Sequence, residues 1–406
     1  MALTNCEKLT PNQAIETIAI NFEGQLAIRR EDNRVPIMSY YLEGSPGVGK
    51  TSIGKQIAKY LNYYFVDIRA NQMNPDVAGG TFMPDYETKT TDWFAPEWLP
   101  NVDGKIYGPD GKELLNEEGK PYDGTLLFFD ELAAADDRVR KPLFGCFLER
   151  NLNGRPIPEN CLIIGAGNEA ETGTQVMEFD NATRTRFITY RIVADFDSWV
   201  VDYAPAVNMS PTVISTLKQN VNAFDETMSA LEKEKALYGN PRSWEQLSVM
   251  ERSIMRTKED RQDERKVAVL QRNAAGKVGI ANAGLFMGVF ASTAQMSTLY
   301  DILKAKKEQR KQMWPKSLGQ LHALCFSMMA YPSKPEQAKE IYDLMDEFPG
   351  TEQSLPFNDM KTGIREVVLK RMKAAGYTNK DLAGLQKGNA ESSAVVFSEP
   401  LIKIKL

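Results

Sequence analysis

Apolar and polar positions alternate along the chain in two regimes, and the change falls near residue 195. In the first regime short apolar runs alternate with amphipathic stretches. Thr10-Pro11 has the form of an N-cap with proline in the first helical turn, and Ile15, Ile18 and Phe22 carry the helix to about Gly24. Val35 to Leu42 is β-branched and aromatic and predicts a buried strand. Ser52 to Leu61 places Ile53, Ile57 and Leu61 four apart, one stripe of a helix. Strands are expected over Asn62 to Asp67, Thr125 to Glu131, Cys161 to Gly167 and Phe187 to Val193. Between them, Leu132 to Arg150 predicts a helix with Leu143, Phe147 and Leu148 inward, Asn151 to Pro156 a turn or hairpin, and Asp180 to Phe187 a short helix. Strands alternating with helices in this way predict an α/β sheet domain of about 195 residues.

The second regime is helical. Helices open at Trp199, Pro211 and Pro241; Val278 to Ala291 is a buried apolar helix, too short for a membrane span. Further helices are expected at Leu299–Lys307, Leu318–Tyr331, Pro335–Met345 and Gly363–Ala375, with a final strand in Ser392 to Leu406. The domains expected are residues 1–195, a helical lid at 196–291 and a helical extension at 292–406. One stretch fits neither regime. Arg69 to Gly124 holds prolines or paired glycines at Pro75, Gly79-Gly80, Pro84, Pro96 and Pro100, and its Asp103-Gly104, Asp110-Gly111 and Glu118-Gly119 steps predict hairpins. Trp93, Phe94 and Trp98 lie in it, and their pattern does not decide between burial and display. No internal repeat or low-complexity stretch is expected.

Composition narrows the function classes. With 406 residues and a net charge of −5, nothing global points to nucleic acid; the basic run Lys304 to Lys311 reads as a lysine-rich helix face, as Thr257 to Lys266 reads as a solvated helix end or linker. The four cysteines, Cys6, Cys146, Cys161 and Cys325, lack metal or redox spacing, which fits a reducing compartment. The single histidine, His322, excludes a histidine metal site or triad and reads as a core or boundary residue. The polar start of the chain and the lack of a spanning apolar run suggest a cytoplasmic location.

The chemistry is concentrated at strand ends. Gly44-Ser45-Pro46-Gly47-Val48-Gly49-Lys50-Thr51 satisfies G-x-x-x-x-G-K-[ST] in full, with a strand before it and a helix from Ser52 after it. The glycines let the backbone wrap a phosphate and the N–H groups of the helix start face the anion. Lys50 is then placed for the β- and γ-phosphates and the Thr51 hydroxyl for Mg²⁺. Thr125 to Phe129 is an apolar run ending in Asp130 and Glu131, the pattern of a central parallel strand with acids at its tip. Asp130 suits Mg²⁺ held through water, and Glu131 suits the base for a water attacking the γ-phosphate. Asn168 follows the Cys161–Gly167 strand, where it could orient that water. Arg184 and Arg186 stand just before the last strand of the first half, and Arg242 follows Pro241 at a helix start.

P-loop, Asp-Glu strand, strand-tip Asn, Arg-x-Arg-Phe and Pro-Arg at a helix start resemble, in that order, the AAA+ ATPases, and within them the MoxR-like group often encoded by bacteriophages. Glu149 to Pro156 is similar to that group's hairpin before the sensor strand, and Arg69 to Gly124 to the insertion in its second helix. The resemblance is specific over about residues 35–250. It implies a P-loop AAA+ parallel-sheet core with an all-α lid and an α-helical C-terminal extension. It implies ATP and Mg²⁺ as ligands, with Gly44 to Ser52 on the phosphates and Thr51 and Asp130 on the metal. Glu131 becomes the base, Asn168 the first sensor, Arg242 the second, and Arg186, with Arg184 as its rival, the finger reaching a neighbour's ATP. It also implies a homo-oligomeric ring, a hexamer, remodelling a partner protein, in some relatives one with a von Willebrand A domain, and it alone implies that the cell is bacterial or phage-infected. A nucleic-acid motor or loader and a metal-chelatase-type motor subunit are the alternatives. Leu132-Ala133-Ala134-Ala135 departs from the family, where Asp-Glu is often followed by Ile-Asn-Arg.

Overall fold

A computed structural model of the chain describes residues 6–108, 110–168, 187–233, 235–294, 296–348, 355–382 and 385. They fall into two compact units, Met1–Ala194 and Asp195–Leu406.

The first unit is built on a six-stranded sheet. Its strands are β1 (Lys8–Leu9), β2 (Ser39–Gly44), β3 (Tyr63–Arg69), β6 (Gly124–Asp130), β9 (Cys161–Gly167) and β10 (Phe187–Ile192). They are all parallel and lie in the order β1-β10-β2-β9-β6-β3. β6 and β9 are buried along their whole length, as a strand covered on both faces must be. Helices α1 (Pro11–Glu31), α2 (Lys50–Tyr60) and α4 (Asp137–Glu149) flank the sheet. On one face Tyr41, Phe129, Phe147 and Phe187 form a chain of ring contacts, joined by Trp98. This apolar layer anchors the strands whose tips carry the chemistry. Cys146 and Cys161 belong to it, and burial pushes both thiols up to about 12, so they are inert core residues.

Several expectations shift in detail. α1 runs past Gly24 to Glu31, because Gln25 is held inside by Tyr40 Oη and by the Met38 amide. Its start is the expected one, a capping box of Thr10 and Gln13 with Pro11 following. β2 begins at Ser39 rather than Val35, since Pro36 has no N–H for a ladder. The 132–150 helix is split: Leu132–Ala134 forms a 3₁₀ turn, and α4 starts afresh with Asp136 capping Arg138 N.

The irregular stretch folds into small antiparallel pieces. After the short helix α3 (Pro75–Gly79), strands β4 (Thr81–Asp85) and β5 (Thr90–Phe94) pair as a hairpin. Trp98 is buried and donates to Val77 O, and Trp93 donates to Gly79 O, whereas Phe94 is exposed. Three tight turns follow, closed by Asn101 N to Lys105 O, Gly108 N to Lys112 O and Asn116 N to Lys120 O. They repeat an Asp/Glu-Gly-Lys unit at 103–105, 110–112 and 118–120, so the stretch is repetitive after all. Asn160 Nδ2 donates to Asp103 O and Asp123 O, and Thr125 Oγ1 to Gly104 O, which ties the turns to the sheet. The hairpin expected at 151–156 is β7 (Asn151–Leu152) with β8 (Arg155–Pro156), turning at Asn153-Gly154 with both φ positive.

The second unit is helical. Helices α5 (Pro211–Gln219), α6 (Thr227–Glu232), α7 (Pro241–Ile254), α8 (Glu264–Val278) and α9 (Ile280–Ala294) come first. α10 (Leu299–Lys304), α11 (Lys307–Met313), α12 (Leu318–Ala330), α13 (Pro335–Asp346) and α14 (Leu355–Ala374) follow. The helix expected over 299–307 breaks at Ala305-Lys306. Residues 199–203 make one π-type turn instead of opening a regular helix. Inside this unit Glu251 of α7 is only 1% exposed and accepts from Ser210 Oγ, Thr212 Oγ1 and Arg261 Nη2. The strand expected in 392–406 lies outside the described residues.

Candidate functional site

The site assembles at the C-terminal tips of β2, β9 and β6, three adjacent strands of the sheet. The loop Gly44 to Gly49 leaves β2 and enters α2 at Lys50. Two glycines are dictated by the backbone. Gly44 runs so close to β10 that a Cβ there would meet Ile192 O at 2.6 Å. Gly49, the N-cap of α2, has φ +103°, a conformation that side chains other than glycine's rarely adopt. The loop is therefore held tight against the sheet and leads into a helix N-terminus, the kind of position that can receive an anion. Ser52 follows in the first turn of α2, its Oγ accepting from Gln56 Nε2.

Lys50 is nearly buried, and its Nζ donates to Gly44 O at 2.7 Å, Ser45 O at 3.1 Å and Asn168 Oδ1 at 3.1 Å. The ammonium thus spans the loop and reaches the tip of β9. Thr51 Oγ1 donates to Asp130 Oδ2 at 3.0 Å, joining the helix start to the tip of β6. Asp130 Oδ1 accepts the Glu131 amide at 3.0 Å. Glu131 sits at φ 56°, ψ 30°, the left-handed region, where the chain turns from β6 into the 3₁₀ turn. A non-glycine residue held there costs on the order of 1 kcal/mol or more and signals a constrained position. The turn breaks the strand's alternation directly after Asp130, so two consecutive acids both stand at the strand end.

Four residues singled out in the sequence therefore form two hydrogen-bonded pairs, Lys50 with Asn168 and Thr51 with Asp130, linked through the adjacent positions of Lys50 and Thr51, with Glu131 adjoining. The donor set fits a magnesium nucleotide. A hydroxyl and a carboxylate are hard oxygen ligands, and Mg²⁺ is commonly held by one or two protein oxygens together with phosphates. The glycine loop supplies the close approach a phosphate needs. Arg184 and Arg186 lie outside the described residues. Arg242 lies in the second unit, in the first turn of α7, which Asn240 caps in a capping box with Ser243. His322 is half-buried, its Nδ1 has no hydrogen-bond partner, and burial lowers its pKa.

Sequence reasoning missed Arg69 at the tip of β3. Its guanidinium pairs with Asp130 at 3.1 Å and with Asp67 at 3.3 Å. No motif marks it; the only signal available was an arginine ending a strand that precedes the acidic one.

Comparison with known proteins agrees with this geometry. Residues 40–190 match the model of the ATPase family associated with various cellular activities (AAA). No curated protein matches the sequence. Among solved structures, a candidate ATPase from Cytophaga hutchinsonii is 15% identical, covering 66% of this chain and 86% of its own, with a TM-score of 0.28. The RuvB Holliday junction branch migration motor of Thermotoga maritima is 16% identical over 71% of this chain and 74% of that one, with a TM-score of 0.32. Both likenesses are too distant to carry any conclusion about function. No helix among the described residues is long and apolar enough to cross a membrane. Strand tips, glycine loop and family match coincide over residues 40–190, the part of the chain that is similar to the ATPase domains of the AAA family.

Proposed function

We propose that the chain is a MoxR-like AAA+ ATPase that binds Mg-ATP between subunits of a ring and hydrolyses it to remodel or assemble a partner protein. The observation that carries this reading is the two hydrogen-bonded pairs Lys50–Asn168 and Thr51–Asp130, beside Glu131, at adjacent strand tips. Lys50 exchanges its loop carbonyls for phosphate oxygens. Thr51 Oγ1 and the Asp130 carboxylate would hold the metal, which would neutralise charge on the phosphates. The Glu131 carboxylate takes the proton of the attacking water, and Asn168 Oδ1, already within reach of Lys50, orients that water. Arg242 and one of Arg184 and Arg186 complete the site in the assembled ring. An arginine supplied from the neighbouring subunit contributes ~10³-fold or more to such a reaction.

The test is mass photometry of the Glu131→Gln chain with and without ATP, beside a phosphate-release assay. The variant should bind ATP, assemble to about six subunits and lose turnover by roughly a hundredfold or more. Arg186→Ala should remove the assembly or the turnover. Wild-type turnover in Glu131→Gln would refute the base, and a monomer with ATP bound would refute the ring.

A further inference from the structure

Asp130 is engaged from three sides within its own chain. Oδ1 accepts the Glu131 amide, and Oδ2 takes both the Thr51 hydroxyl at 3.0 Å and the Arg69 Nη1 at 3.1 Å. The opposition of Arg69 and Asp130 is fixed by the backbone, because the two residues are partners in the parallel β3–β6 register. Asp67 precedes Arg69 by two positions and so lies on the same face of β3. Its Oδ2 is 3.3 Å from Arg69 Nη2. The guanidinium therefore lies between two carboxylates, one almost buried (10% exposed) and one open (33%), and is itself 42% exposed. A planar fork suits either carboxylate, and its exposure lets it move between them.

Building on the Mg-nucleotide reading above, we infer that Arg69 is a positioning residue of the nucleotide site. It neutralises Asp130 while the site holds no metal, and it shifts to Asp67 when Asp130 is required by Mg²⁺. The physical reason is direct. A guanidinium and a divalent cation on one carboxylate oxygen repel each other. Without the guanidinium, a nearly buried carboxylate would repel the phosphates of a metal-free nucleotide. Arg69 thus favours entry of the phosphates and competes with the metal, so the Mg²⁺ requirement of tight binding is set partly by a residue on β3.

The experiment is a magnesium titration of the binding of a fluorescent ATP analogue to the full chain, read by anisotropy, with no turnover needed. Arg69→Gln should lower the Mg²⁺ concentration at half effect about five- to tenfold, and should weaken binding in EDTA several-fold. Asp67→Asn, which removes the second carboxylate, should raise that concentration. Unchanged or raised midpoints in Arg69→Gln, or an unchanged midpoint in Asp67→Asn, overturn the proposal while leaving the nucleotide site in place. Equal weakening of Arg69→Gln with and without Mg²⁺ makes Arg69 a plain phosphate ligand and also overturns it. A wild-type chain that binds no analogue with Mg²⁺ present overturns the nucleotide reading and this inference with it. Far-ultraviolet circular dichroism of each exposed-residue variant controls for folding.

Discussion

Replacing Gly54 by alanine should destabilise the first unit, although the same change in an exposed helix would stabilise it. Gly54 lies in α2, one turn after Lys50 and Thr51, and it is buried. Alanine gains up to about 1 kcal/mol over glycine in a helix interior. Here the added Cβ would meet Phe128 Cδ2 at 2.6 Å, Phe128 Cε2 at 3.0 Å and Phe65 Cε2 at 3.0 Å. Phe128 is fully buried in β6, and its ring packs on Phe65 at a centroid distance of 5.7 Å, so the Phe128 ring has no easy retreat. Overpacking of this kind costs ~1–3 kcal/mol, and three close contacts place the site in the upper half of that range. The net loss is ~1–2 kcal/mol, roughly 3–6 °C in Tm for a unit of this size. Scanning calorimetry reads it. Nucleotide affinity should fall as well, because a displaced α2 carries Lys50 and Thr51 with it. Combining the change with Phe128→Leu should give less than the sum of the two single effects, since the residues are in contact. A raised Tm for Gly54→Ala, or strict additivity in the pair, would refute the packing argument.

Three further outcomes are expected. Lys50→Ala should weaken nucleotide binding itself, measured by anisotropy of a labelled analogue, unlike Glu131→Gln, which should spare binding and abolish turnover. Glu251→Ala should cost about 2–4 kcal/mol, read as a drop in the urea midpoint, because it strips a buried carboxylate from Arg261, Ser210 and Thr212; a loss under about 1 kcal/mol would mean that the network is incidental. Asp301 is held down to about 2, first by its bond from Lys258 and then by that from Thr298. A depressed carboxylate contributes stability above its unfolded value of roughly 3.9, and that contribution is lost as pH falls toward about 2. The Tm difference between wild type and Asp301→Asn should therefore shrink between about pH 4 and pH 2, and a constant difference would contradict the assignment.

The parts legible in the sequence were those in which local pattern and chemistry coincide. The glycine loop is bounded by a strand and a helix that each announce themselves, and the acids of β6 end a run too apolar to lie anywhere but inside. Proline and a capping residue marked the starts of α1, α5 and α7. What escaped has physical reasons. β1 is two residues long, too short for any periodicity, and exists only because β10 accepts it. Gly24 read as a helix end, but a tertiary contact of Gln25 carries the helix through it. Arg69 was invisible because its role depends on register, which pairs positions far apart in sequence. Trp98 and Phe94, four residues apart, fall on opposite sides of the burial line because a hairpin, not a helix or a strand period, divides them.

The three consecutive turns between β5 and β6 bear on how this chain can change over time. A parallel crossover must bring the end of β3 back to the start of β6, and the cost of closing such a connection rises only slowly with length, ~0.6 kcal/mol per doubling. Each turn closes on itself through its own backbone bonds, so the connection behaves as a much shorter one. The pins at Asn160 and Thr125 hold the base of the array at the N-terminal edge of β6, the end opposite the acids. Turns of this kind can be added, deleted or rewritten without altering strand register or the glycine loop after β2. The chain thus keeps a region where new surface can be acquired while the end of the sheet that carries Lys50, Asp130 and Asn168 stays fixed.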